Sequence, residues 1–311
     1  MKRVAVITLS FCFCALSAFC QIGKFYTSEQ ISSSMFAYCS IGQDTEGYIW
    51  VGTEYGLNRF DGFHFVTFLN NPNDSTSLGF NLIATVFCDK TGGVWVGTQK
   101  GLDMYNPVTR SFTHFKFPDN LHPRVTKILR LKDQRLVVAT AGYGLFLAHE
   151  DTHSLERLPV FGSNDNFFSN IFEDSHGNLW KNNVTNEFSC KNMNNNSKPL
   201  HFTSSVGIPM GFAEKDGQVL ILCKHGLLTY KNGHIQPYPI SIDVPNPQDI
   251  LYQSIYTDNQ NNVYIGTRGY GLFVLPTGSS QIKRVECTNH SIDLNCSSVW
   301  GTTAIAITIC G

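Results

Sequence analysis

Charge is scarce in this chain of 311 residues. Only 15% are Asp, Glu, Lys or Arg, and 23 basic side chains stand against 24 acidic ones, a formal net charge of -1. With no basic surplus to neutralise phosphates, the electrostatic footprint of a nucleic-acid binder is missing. Beyond the first twenty residues, no apolar run approaches the roughly twenty residues that span a bilayer as a helix. No phosphate-cradling glycine loop, Gly-x-Ser-x-Gly elbow, His-Glu-x-x-His pair or dinucleotide fingerprint occurs, so the enzyme classes that carry those motifs lose their signatures. What is plentiful is 23 Phe, 12 Tyr and 26 Gly, a composition of strands and tight turns rather than long helices. The 42% hydrophobic share supplies enough apolar material for a core.

The first twenty residues stand apart. Lys2 and Arg3 precede an apolar stretch from Val4 to Phe19, and Ala18 and Cys20 are the small residues a signal peptidase reads. Residues 1–20 are therefore expected to be a signal peptide cleaved before Gln21, which makes the chain exported and periplasmic. Two other readings exist. A lipoprotein would acylate Cys20, although Phe19 is bulky where such sites want a small residue; an uncleaved anchor would want a longer run. Removal of the signal leaves seven cysteines, Cys39, Cys88, Cys190, Cys223, Cys287, Cys296 and Cys310. Seven cannot all pair, and none shows Cys-x-x-Cys spacing, so no metal site is expected and free, buried thiols are favoured over a disulfide framework.

A repeat organises the rest. Residues 44–57 read Asp-Thr-Glu-Gly-Tyr-Ile-Trp-Val-Gly-Thr-Glu-Tyr-Gly-Leu, and residues 89–102 return as Asp-Lys-Thr-Gly-Gly-Val-Trp-Val-Gly-Thr-Gln-Lys-Gly-Leu. Weaker copies follow, so that Trp50, Trp95, Val137, Trp180, Leu220 and Tyr264 occupy one recurring position at intervals of 45, 42, 43, 40 and 44 residues. Each unit reads as four short strands. An apolar run ends at the Asp, Asp-x-x-Gly turns, the Trp-Val-Gly-Thr run follows, and a turn closes on Gly-Leu. In the first unit Asp61-Gly62 then leads to a fourth strand over Phe63–Phe68. Four antiparallel strands every 40 to 45 residues describe a propeller blade.

The fold class expected is thus all-β, a β-propeller of four-stranded antiparallel blades over residues 21–300, with six full blades and an incomplete seventh. Trp50, Trp95 and Trp180 are expected to wedge between blades, and Gly52, Gly97 and Gly266 to belong to the same structural repeat. Phe25 to Ser34 imitates a fourth strand without its first three, as when an N-terminal strand completes the last blade and leaves no open edge. Leu294 to Trp300 resembles a first strand of that seventh blade. Residues 301–311 match nothing in the repeat. They are expected to be an aberrant tail from a reading-frame break shortly after Trp300, because a shifted frame permits a run ending in Leu-Trp.

At these residues the chain resembles a known family. Asp-x-x-Gly-x-Ile/Leu-Trp-Val-Gly-Thr-x-x-Gly-Leu is similar to the two-component regulator propeller repeats. The stretch from Phe25 to Ser34, with Gly52 to Gly62, resembles the start of the periplasmic region of a hybrid two-component sensor. The resemblance implies two seven-bladed propellers, an immunoglobulin-like domain, a transmembrane helix, and kinase, receiver and DNA-binding parts in the intact protein. It further implies an inner-membrane parent that responds to oligosaccharides, with this chain an N-terminal fragment without the kinase. The third repeat departs at Leu131 and Val137, and the fourth reads Lys181 to Phe188 without Gly-Thr or Gly-Leu.

The functional reading is a ligand-sensing propeller and not an enzyme, requiring no cofactor. Its partners would be an oligosaccharide, the rest of the sensor and a second protomer. Strand directions put second-to-third-strand turns and blade connections on one rim, which carries Tyr55, Lys100, Tyr143, His225, Arg268 and Tyr270. Aromatic rings stack on sugar faces and cationic groups donate to hydroxyls; the blander reading is ordinary exposed hairpin tips. A secreted protein-interaction scaffold is the alternative, and a glycan-active propeller enzyme the third.

Overall fold

In the first, second, fourth and sixth blades an aspartate closes the turn between the first and second strands. The structure, a computed structural model, describes residues 40–285 except 163–165, 232, 241, 243 and 245. In the first blade, Asp44 Oδ1 accepts the N–H groups of Glu46 at 3.0 Å and Tyr48 at 2.9 Å, with Gly47 at φ +88° in the left-handed region. Asp174 does the same for His176 and Asn178, and Asp258 for Gln260 and Asn262. At the other end of the second strand a threonine hydroxyl stitches the next turn. Thr53, Thr98, Thr140 and Thr267, all buried, donate to the carbonyls of Gly56, Gly101, Gly144 and Gly271. The recurring Asp and Thr therefore satisfy backbone groups that two tight turns would otherwise leave bare.

Between these turns run six four-stranded antiparallel sheets, each with its strands hydrogen-bonded in chain order. The first blade is Ser40–Gln43, Ile49–Thr53, Gly56–Phe60 and Phe65–Phe68. The later blades begin at Ile83–Cys88, Val125–Arg130, Asn170–Glu173, Pro209–Lys215 and Leu251–Thr257. First strands of successive blades lie side by side, which puts them innermost in a β-propeller with six blades among the described residues. Among the described residues the only helical pieces are two single 3₁₀ turns, Pro118–Asn120 and Pro247–Asp249.

Close approach of the blades explains the glycine in Trp-Val-Gly-Thr. A Cβ added at Gly52 would lie 2.5 Å from Ile83 Cγ2, and one at Gly97 2.6 Å from Val125 Cγ1, in each case on the next blade's first strand. Gly266 is buried at the same position of the sixth blade. The core lies between blades. Trp50 packs with Ile83, Tyr105 and Phe112, Trp95 with Val125, Ile128 and Phe146, and Trp180 with Phe212, Val219 and Leu228. Indole N–H groups of Trp50 and Trp180 donate to Asp44 and Asp174 at 2.6 and 2.8 Å. Trp95 Nε1 has no partner, because Arg130 from the third blade takes the Asp89 carboxylate instead, its Nε at 2.7 Å.

One sequence expectation needs adjustment. The first blade's fourth strand begins at Phe65 rather than Phe63. Asp61 Oδ1 accepts the N–H groups of Phe63 and His64, holding both in the turn and leaving the Phe63 ring 86% exposed. The fourth repeat, as expected despite its lost signature, forms a complete blade: Trp180, Phe188 and Cys190 bury one face and Leu179 the other. Cys88, Cys190 and Cys223 are free thiols. The signal segment, Phe25–Ser34, residues 294–311, and Cys39, Cys287, Cys296 and Cys310 lie outside the described residues.

Candidate functional site

Five of the six rim residues sit on turns between second and third strands, and Arg268 ends the second strand of the sixth blade. Tyr55 is 60% exposed and Tyr143 42%; His225 and Arg268 are also exposed. Lys100 extends its ammonium over the Phe80 ring at 4.5 Å from the centroid. Tyr270 differs: it is half-buried against the apolar cluster between the fifth and sixth blades. The rim residues do not converge on one cavity. Lys100 lines a cavity of about 580 Å³ over the second blade, and Tyr143 lines one of about 240 Å³ between the third and fourth.

The second-blade cavity is walled by the connection from the first blade, and a polar relay pins that connection down. Asp103, only 4% exposed, accepts the Gly79 N–H at 2.8 Å and meets His114 Nδ1 at 2.7 Å. His114 Nε2 lies 3.0 Å from the Ser75 carbonyl. Both ring nitrogens face acceptors, so the imidazolium is the form that satisfies both. The hydrogen bond to Asp103 pushes the His114 pKa up against the opposing effect of burial.

A cavity of about 620 Å³ opens where the repeat signature fails. The residue after the recurring aromatic is Val51, Val96, Val138, Ile221 or Ile265 in five blades, and all five are buried. In the fourth blade it is Lys181, 4% exposed, with its ammonium 4.9 Å from the Phe168 ring centroid and 5.6 Å from that of Phe161. Strand pairing sets Lys181 opposite Ser189 and Ser189 opposite His201, with Glu187 opposite Thr203, so these five side chains share one face. Ser189 Oγ and His201 Nδ1 are 2.8 Å apart. Asn182 stands in the glycine position and its amide donates to the Pro209 carbonyl at 2.6 Å, tying the fifth blade's first strand to the fourth. The rim cavity adjoins the one lined by Tyr143, the two sharing Phe161 and Gly162.

None of Lys181, Glu187 and His201 is among the six rim residues expected from the sequence, which follow the repeat's turn; here the turn signature is gone. The available signal was a lysine in a valine's place. Among the described residues there is no cluster of three or more metal-ligating side chains. No helix there is long and apolar enough to cross a membrane.

These features define a β-propeller with a polar, cavity-bearing rim. No family model matches the chain. Over 82 residues, 25% of this chain, it is 38% identical to histidine kinase P4 of Formosa agariphila, and the match spans 6% of that protein. Its fold is similar to the extracellular domain of a protein assigned as a hybrid two-component system from B. thetaiotaomicron. That likeness has a TM-score of 0.70 at 23% identity, covering 88% of this chain and 38% of the other. It is also similar to virginiamycin B lyase from Staphylococcus aureus, with a TM-score of 0.63 at 12% identity, covering 84% of this chain and 88% of the lyase. Sensor and lyase share the architecture, so the shared feature is the propeller itself.

Proposed function

We propose that the chain is the extracytoplasmic ligand-sensing propeller of a hybrid two-component system, exported to the periplasm and responsive to an oligosaccharide. The observation that carries the reading is the fit of 88% of the chain to an extracellular domain of a hybrid two-component system. The kinase match and the repeat signature support it from the sequence side. The rim supplies the chemistry: exposed Tyr55 and Tyr143 as stacking platforms, with Arg268 and Lys100 as donors. The kinase step belongs to parts of a sensor outside this propeller. Ligand occupancy would act by favouring one arrangement of the propeller against its neighbours.

Calorimetric titration of the mature chain with a panel of neutral and acidic oligosaccharides tests the proposal. Alanine at Tyr55, Tyr143 or Arg268, each on its own blade, is expected to weaken binding at least tenfold in at least one variant without lowering the melting temperature. Unchanged affinity in all three variants removes the rim tyrosines and Arg268 as the site, and an inert panel removes the sugar-sensing reading.

A further inference from the structure

The cavity over the second blade, about 580 Å³, lies in the size range of small-molecule sites, and its walls are set in advance. One wall is the connection from the first blade. Besides the bonds to Asp103 and His114, Asn70 Nδ2 donates to the Leu78 carbonyl at 2.8 Å, and the Phe112 N–H donates to the Thr76 carbonyl at 2.8 Å. The facing wall draws on residues between Lys116 and His122. Leu102 pairs with Phe115, so the next residues outward, Gly101 and Lys116, lie alongside each other and Lys100 and Lys116 open on the same end of the blade.

Charge in this cavity is one-sided. Its two carboxylates are engaged by the protein itself: Asp103 by the Gly79 N–H and His114, and Asp74 Oδ1 by the Thr76 N–H at 2.9 Å and the Thr76 hydroxyl at 2.7 Å. Its two lysines are not. Among the described residues neither Lys100 nor Lys116 has a carboxylate within ion-pair reach, and the Phe80 ring under the Lys100 ammonium leaves that charge uncancelled. Charges of one sign along a concave wall reinforce each other's field on what enters.

We propose that this cavity binds an acidic sugar residue of an oligosaccharide, its carboxylate held by Lys100 and Lys116. The proposal rests on the oligosaccharide-sensing reading and names the class of sugar and its cavity. Beyond the lysines, the exposed Asn71 and Asn120 present amides that both give and accept hydrogen bonds, as sugar hydroxyls require. Pro72 and Leu121 offer apolar surface to the CH face of the ring. The Asp74 carboxylate on the same lining disfavours a second negative charge, which separates this ligand from bare phosphate.

The test uses the full mature chain, titrated at low salt with galacturonate oligosaccharides and with neutral galactose oligosaccharides of the same length, and with inorganic phosphate as the bare-anion control. The acidic series is expected to bind at least tenfold more tightly than the neutral one, and phosphate not at all. Lys100→Met and Lys116→Met should each cut the preference about threefold, as exposed charge pairs do, and the double variant should erase it. Both side chains are exposed, so the melting temperature should hold; if the double variant does not fold, the single variants carry the test. Lys90→Met, an exposed lysine at the opposite end of the same blade, removes the same charge elsewhere and should leave the preference intact. Equal binding of the two series, phosphate binding as tightly as the acidic sugar, a preference that survives loss of Lys100 and Lys116, or one lost equally in Lys90→Met overturns the proposal. Saccharide binding without acid preference would overturn it and leave the sensing reading standing; no saccharide binding of any kind removes both.

Discussion

Trp95 and Trp180 occupy the same place in two blades, yet replacing each with phenylalanine should have different consequences. Both side chains are fully buried, so the loss of apolar area and the void left behind are similar in the two variants. The polar balance differs. Trp180→Phe removes a hydrogen bond of 2.8 Å to Asp174, a carboxylate only 1% exposed, and bonds to charged groups contribute about 1.5–3 kcal/mol. Asp174 Oδ2 keeps a second donor, Asn178 Nδ2 at 2.8 Å, which places the loss at the lower end of that range. Trp95→Phe removes an indole N–H that is buried without a partner, and so relieves roughly 1 kcal/mol of unmet desolvation. The Trp180 variant is therefore expected to be less stable than the Trp95 variant by about 2 kcal/mol. For a chain of this size that is a difference in Tm of roughly 4–8 °C. Urea and thermal unfolding of the two variants at neutral pH would measure it. A double-mutant cycle of Trp180→Phe with Asp174→Asn should add a coupling of about 1.5 kcal/mol. A Trp95 variant as unstable as the Trp180 variant, or a coupling near zero, would refute the reasoning.

Two further outcomes follow from the titrating groups. His114 has its pKa raised in the folded state, so its link between Asp103 and the Ser75 carbonyl is fully present below the unfolded histidine value and is lost as pH rises through the folded one. With the side chain 42% exposed, the effect is discounted to about 0.5 kcal/mol, so amides of residues 70–79 should exchange roughly twofold faster, after intrinsic correction, at pH 8.5 than at pH 5.5. His114→Asn should remove that pH dependence, and an unchanged wild-type profile would count against the link. Burial pushes the Cys88 and Cys190 thiols up to about 12 and Cys223 to about 11, so iodoacetamide at pH 8 should label them at least tenfold more slowly in the native chain than in urea, read by mass spectrometry. Rapid native labelling of any of the three would contradict the packing around it.

The repeat alone determined the architecture. Asp and Gly at most of the first turns, an aromatic or aliphatic wedge, and Gly-Thr at most of the next turns each serve contacts within a blade or to its neighbour, so their spacing reports a blade every 40 to 45 residues. That is why even the fourth repeat, stripped of Gly-Thr and Gly-Leu, keeps its place: Trp180, Phe188 and Cys190 still bury one face, and Leu179 the other. Local chemistry was legible to the same extent, with the boundary error at Phe63 arising because Asp61 holds two residues in its turn rather than one.

Only the tertiary structure decided which polar groups meet. Arg130 reaches Asp89 across 41 positions of sequence and so orphans the Trp95 indole, a substitution of partners that no repeat alignment displays. Lys181, Ser189 and His201 become one row because strand register sets them side by side, while the rim residues of other blades, similar in sequence position, stay apart on separate turns. The physical reason is that blade-building contacts are local or recur with the repeat, whereas a cavity forms where neighbouring blades and their connections fail to fill the space between them. The sequence marked that place only by a break in its own pattern, a lysine where five blades have valine or isoleucine.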